Sequence, residues 1–129
     1  RYTQCTPATT LRIEQLLILD TVGLLSSVYG YATWSYIGGG FGVGIHNTLE
    51  AATFGLPVAF GPNYRKFKEA RDLVTLGAAR SIANYDELNA WFTPLRDNEE
   101  FLQKTSRIAK DYTTRHQGAT NIIVKTIFQ

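Results

Sequence analysis

Five glycines crowd into seven residues, Gly38-Gly39-Gly40-Phe41-Gly42-Val43-Gly44, and Ile45-His46-Asn47-Thr48-Leu49-Glu50 follows at once. Glycine permits positive φ and lets a backbone approach a ligand closely. A helix opening directly after such a loop presents the free N–H groups of its first turn, which suit an anion such as a phosphate. A tight strand-to-helix turn needs one or two glycines, so five favour a loop that holds something. The common nucleotide fingerprints are absent. For G-x-G-x-x-G, the pairs Gly38/Gly40, Gly40/Gly42 and Gly42/Gly44 meet Val43, Ile45 and Asn47 where the third glycine belongs. Gly39 and Gly44 have the P-loop spacing, but Ile45-His46 stand where Lys-Ser/Thr must be.

His46 and Glu50 lie four apart, which on a helix puts them on one face. Glu50 can accept hydrogen bonds from paired ribose hydroxyls, as acidic residues do in other nucleotide folds. Asn47-Thr-Leu-Glu50 is also a capping-box pattern, with Glu50 folded back onto the Asn47 amide. The spacing leaves both open. A metal pair of His46 and Glu50 lacks a third ligand nearby in sequence. His46 is chemically able to act as a general base, and hydrogen bonding to the glycine loop is its simpler reading. Downstream, Gly61-Pro-Asn-Tyr-Arg-Lys-Phe-Lys-Glu69 joins a rigid turn to three cations. Such cations can neutralise a phosphate or a sugar carboxylate. Lys68 is counted with the site, while Arg65 and Lys66 read individually as ordinary surface residues. Upstream, Thr21 with the amides of Val22 and Gly23 either holds a second anionic group or caps a helix.

These residues need a frame to bring them together. Short apolar runs at 15–20, 34–37, 56–60 and 80–83 read as strands. Helical spacing covers 21–32, 47–54 and 67–76, with Gly55 and Gly77 as stops. Further helices are expected at 85–92, 98–115 and 119–128, with Asp86, Asn98 and Thr120 in their early turns. Alternating strands and helices predict an α/β fold, a Rossmann-like parallel sheet flanked by helices with right-handed crossovers. Ligands of such sheets bind beyond the carboxyl ends of the strands. The three junctions there, 20–23, 38–50 and 61–68, hold seven of the eleven glycines, which marks one working rim.

Composition narrows the classes. A chain of 129 residues, 44% hydrophobic and 19% charged, suits one globular domain, expected over 1–129. A net charge of +2 gives no argument for nucleic acid. The lone Cys5 excludes a disulfide scaffold, and two histidines leave little for structural zinc. No apolar run approaches the roughly 20 residues of a membrane span, and no signal peptide is visible. The start at Arg1 and the character of the first dozen residues suggest a soluble fragment of something longer.

Read in order, Asp20-Thr-Val-Gly-Leu-Leu, then Tyr36-Ile-Gly-Gly-Gly-Phe with Gly44-Ile-His-Asn-Thr-Leu-Glu50, then Gly55-Leu-Pro-Val, and Gly61-Pro-Asn with Phe67-Lys-Glu69, resemble the C-terminal half of 3-deoxy-D-manno-octulosonic acid (Kdo) transferases. These are glycosyltransferases of the GT-B type that build lipopolysaccharide. The likeness covers about residues 15–85, and the combined set is specific where each piece alone is weak. It implies a domain that binds the donor CMP-Kdo, with His46–Asn47 at the phosphate and Glu50 at the cytidine ribose. Thr21, Gly23, Gly38, Gly39 and Gly40 would line the same cleft, with Lys68 as a nearby cation. The resemblance further implies inverting transfer to a lipid A precursor on the cytoplasmic face of a bacterial inner membrane. The catalytic base would lie in an N-terminal domain outside this chain, membrane contact would come only through the full-length protein, and no cofactor or dedicated metal is called for. Helix N-termini and cations would then stabilise the leaving group. Two positions depart from the pattern: Leu24 stands where many members have Glu, and Lys66 where many have Asn. The alternatives are the donor domain of another GT-B transferase using a UDP-sugar, and a non-catalytic nucleotide-binding module.

Overall fold

The computed structural model describes residues 24–128, the side chains of Ser26 and 117–128 excepted. The expected strand at 15–20 and the Thr21–Gly23 turn lie outside the described residues. Two units are distinguished, one ending at Tyr31 and one running from Ala32 onward. In the first, α1 (Leu25–Tyr29) is the described element, shorter than the spacing predicts.

The second unit is built on three parallel strands, β1 (Ser35–Ile37), β2 (Val58–Phe60) and β3 (Ala79–Ser81), in the order β1-β2-β3. Ser35, Tyr36 and Ile37 pair with Val58, Ala59 and Phe60, which pair in turn with Ala79, Arg80 and Ser81. All three residues of β2 are buried, as a central parallel strand covered on both faces requires. The helices α2 (Thr48–Thr53) and α3 (Lys68–Leu76) make the crossovers, α4 (Tyr85–Asp97) follows β3, and α5 (Glu99–Phe128) ends the chain. This is the α/β, Rossmann-like arrangement that the alternation predicts.

Local chemistry explains the boundaries. Asn47 caps α2 by accepting the Leu49 amide at 3.0 Å. Gly55 and Gly77 end α2 and α3 with φ of 73° and 92°, the left-handed stop that glycine adopts without strain. Asp86 stands in the first turn of α4 as expected, Asn84 caps that helix by accepting the Glu87 amide at 2.9 Å, and the Glu87 carboxylate accepts the Ala83 amide at 2.7 Å. Asn98 does start α5 as expected, accepting the Phe101 amide at 3.1 Å.

The C-terminal helices differ from the sequence reading in two places. The first, α4, continues past Phe92 through Pro94 to Asp97. Leu95, one residue beyond the proline, is 1% exposed and packs with Trp91 against Ala59 and Ile82. Burying such a side chain gives about 1.5–3 kcal/mol, comparable to the ~3 kcal/mol that an interior proline costs. The second, α5, is continuous where a break was expected around Gly118, leaving Thr120 inside a helix and not at its start. An interior glycine costs only about 1 kcal/mol relative to alanine, small against the packing of a helix that touches α2, α3 and α4.

Candidate functional site at the glycine rim

Register brings the second and third junctions together. Because Ile37 pairs with Phe60, the glycine loop leaves β1 directly beside the Gly61-Pro-Asn turn that leaves β2. Contact is backbone to backbone: a Cβ added at Gly40 would run into the Gly61 amide nitrogen, and one added at Gly61 would lie 2.6 Å from the Gly40 carbonyl carbon. Gly39 has φ of 92°, and a Cβ there would strike the Gly44 carbonyl oxygen. Several of the five glycines thus have an internal reason to be glycine, over and above any ligand.

The loop is closed on itself and then tied to its neighbour. The Gly39 carbonyl accepts the amides of Gly42 and Gly44, both at 3.1 Å, and the Gly38 carbonyl accepts the His46 amide at 3.1 Å. Three of the amides expected to face a ligand are therefore spent within the loop. From the β2–α3 side, Asn63 donates its amide to the Gly40 carbonyl at 2.8 Å and its Nδ2 to the Gly42 carbonyl at 2.6 Å. Lys66 Nζ donates to the Val43 carbonyl at 3.1 Å and sits 5.5 Å from the centre of the Phe67 ring. Asn63 and Lys66 are the contacts that sequence reading missed. The signal was there in the adjacency of the two strands: junctions after neighbouring parallel strands must lie side by side.

The expected site residues are distributed along this rim. Gly38 and Gly39 run under His46, whose imidazole Cδ2 would be 3.8 Å from a Cβ at Gly38. His46 itself is exposed and precedes the Asn47 cap, so it is not part of α2, and the shared helical face with Glu50 does not arise. Glu50 is half-buried in the first turn of α2, where the free N–H groups favour a carboxylate. Its neighbours Ile45, His46, Asn47 and Thr48 join Phe67 and Glu69 around a hollow of about 270 Å³. Lys68 is on the rim side of α3, but its Nζ holds Asp72 Oδ2 at 2.6 Å. Releasing an exposed pair of this kind costs only about 0.3–0.5 kcal/mol, so the lysine remains available to an anion. Thr21 and Gly23 lie outside the described residues.

Behind the rim, Asp72 also accepts a hydrogen bond from the Tyr112 hydroxyl at 2.8 Å, which ties α3 to α5. The Lys68 ammonium, then the Tyr112 hydroxyl, hold the Asp72 carboxyl below its ordinary value. Burial and the same carboxylate push the tyrosine hydroxyl upward, so it stays the donor. Among the described residues, no three His, Cys, Asp or Glu side chains come together in a way that would hold a metal ion. A larger hollow of about 600 Å³ lies between Phe54–Leu56 and the 99–111 stretch of α5. Those residues precede β2, at the end of the sheet opposite the rim where parallel sheets bind ligands.

Comparison with known proteins bears on this rim. The chain is 38% identical over 96 residues to a 3-deoxy-D-manno-octulosonic acid transferase of Rickettsia prowazekii, covering 73% of this chain and 21% of that protein. A protein of the same name from Rickettsia conorii is 35% identical over 94 residues, 72% of this chain and 20% of its own length. The Aquifex aeolicus protein of that name is 30% identical over 82 residues, 62% and 23% respectively. No protein-family model matches the chain. A 96-residue match within 129 residues necessarily takes in the glycine loop and the Gly61–Asn63 turn. The chain spans about a fifth of the length of the curated relatives it matches.

Proposed function

We propose that this chain, a relative of the 3-deoxy-D-manno-octulosonic acid transferases, forms the nucleotide-sugar-binding half of a glycosyltransferase of the GT-B type that uses CMP-Kdo. The observation that carries the reading is the coincidence of two independent facts. The similarity runs through the residues where the two junctions meet, and that meeting point is the end of a parallel sheet at which ligands bind. In this reading the glycine loop and the start of α2 receive the phosphate of the donor, and Glu50 receives the ribose hydroxyls. Thr21, Gly23, Gly38, Gly39 and Gly40 line the cleft, His46 and Asn47 border it, and Lys68 supplies a nearby positive charge.

The chemistry of such a half is stabilisation of a leaving group. Breaking the bond from the anomeric carbon to CMP places growing negative charge on a phosphate oxygen. Fixed N–H dipoles and a cation already aimed at that oxygen lower the barrier without reorganising. The base that activates the acceptor belongs to the other half, and the acceptor is a lipid A precursor at the cytoplasmic face of the inner membrane. The full-length protein makes the membrane contact. Among the described residues, no helix is long and apolar enough to cross a membrane.

Calorimetric titration of the chain with CMP, UDP and NAD tests the donor assignment. Binding of CMP in preference to the other two is expected. Silence at millimolar CMP together with a response to UDP or NAD overturns it.

A further inference from the structure

We propose that Glu69 is a specificity-determining residue for the transferred sugar, its carboxylate accepting hydrogen bonds from sugar hydroxyls in the hollow between the starts of α2 and α3, an inference that rests on the donor-site reading above. The hollow adjoins the glycine loop on two sides. The His46 imidazole lies over the loop, with Cδ2 3.4 Å from a Cβ built on Gly39, and the Phe67 ring lies 3.1 Å from a Cβ built on Gly44. Both residues also line the hollow, together with Ile45, Asn47, Thr48 and Glu69. A group bonded to a phosphate on the loop therefore has this hollow beside it. Its volume of about 270 Å³ falls below the roughly 300–1,000 Å³ of sites for drug-sized molecules, a size for one sugar unit and not for a whole nucleotide sugar. Glu50 is not in its wall, which leaves the ribose and the hollow to different residues.

The wall has the chemistry to sort sugars. Glu69 is half-buried in the first turn of α3, and among the described residues no hydrogen bond or ion pair engages its carboxylate. An ionised carboxylate accepts and cannot donate, so its complement is a pair of hydroxyls. Phe67 offers an apolar surface to the C–H side of a sugar ring. Asn47 spends its Oδ1 on the Leu49 amide and keeps Nδ2 as a donor. The transferred sugar is itself an acid, and like charges placed side by side are rejected. The sugar must therefore lie with its hydroxyl-bearing end toward Glu69 and its own carboxylate turned away. A carboxylate in a first turn also serves its helix, and Phe67 gives α3 no side-chain cap. That service does not depend on a ligand, so it cannot distinguish a nucleotide that carries a sugar from one that does not.

The test uses that distinction. The full chain and its Glu69→Gln variant, which keeps the shape and removes the charge, are titrated calorimetrically with CMP and, separately, with CMP-Kdo. The wild type is expected to bind CMP-Kdo more tightly than CMP. Glu69→Gln should weaken CMP-Kdo about tenfold and leave CMP affinity unchanged, as loss of a charged acceptor facing the sugar alone implies. Equal affinity of the wild type for the two ligands overturns the sugar subsite and leaves the nucleotide reading standing. A loss in Glu69→Gln shared equally by CMP and CMP-Kdo also overturns it, by assigning Glu69 to the nucleotide or to the fold. Unchanged binding of both ligands by Glu69→Gln overturns the role of the carboxylate as well. A wild type that binds neither ligand removes the donor reading and the subsite together.

Discussion

Glu50 and Gly39 represent two kinds of demand on single residues of this rim. Glu50 stands in the first turn of a capped helix, where a carboxylate serves α2. If the ribose contact dominates, Glu50→Ala weakens CMP binding at least tenfold while lowering stability by no more than the ~1 kcal/mol of a lost first-turn interaction. A large drop in melting temperature with CMP affinity preserved would assign Glu50 to the helix alone. Gly39 is under a different constraint. Its φ of 92° and the Gly44 carbonyl in the path of any Cβ make Gly39→Ala strained twice over. A loss of about 1–3 kcal/mol is expected from the backbone conformation alone, read by chemical denaturation. The difference between the two positions was only half legible in the sequence. The Asn47-to-Glu50 spacing left two readings of Glu50 open, a capping box and a ribose contact. The glycines, by contrast, suggested a ligand when part of their purpose is the approach of Gly40 to Gly61, which no local pattern reveals.

Two elements depend on contacts that side chains make with backbone ends or across helices. Asn84 and Glu87 together satisfy the Glu87 and Ala83 amides at the start of α4. Asn84→Ala should therefore destabilise the chain by about 1 kcal/mol, measured as a shift in denaturation midpoint with unchanged slope. Between α3 and α5, Asp72 joins Lys68 and Tyr112. Its carboxyl is depressed in the folded chain, so the stabilisation it gives is full above the ordinary aspartate value of about 3.9 and is lost as pH falls through the folded value. Melting temperature followed from pH 5 downward should accordingly decline less steeply in Asp72→Asn than in the wild type. Helix termini in this chain follow residue type closely, since Asn47, Gly55, Gly77 and Asn98 all act where their chemistry predicts. Helix lengths do not. Pro94 weakens α4 locally, and the burial of Leu95 just beyond it favours continuation of the helix.

At the scale of the molecule, the function proposed above makes this chain the donor-binding rim of a glycosyltransferase cleft. The chain spans about a fifth of the length of its relatives, and under that proposal, with the base in the other half, it is expected to bind CMP yet transfer no Kdo to a lipid A precursor. Turnover by the isolated chain, measured with CMP-Kdo and acceptor, would contradict that division of labour. Among the described residues, adjacent pairing of β1 and β2 brings the glycine loop against Gly61 and Asn63.

Residue order alone determined the alternation of strands and helices, the helix caps and stops, and the family likeness. Each of these rests on local propensity or on short-range spacing, which a linear string contains in full. Only the tertiary structure decided that Asn63 and Lys66 reach the glycine loop, and that α4 runs past Pro94 to bury Leu95 near Ala59. Those outcomes depend on partners about twenty or more residues away, brought close by strand register and core burial, and no pattern within a short window encodes them.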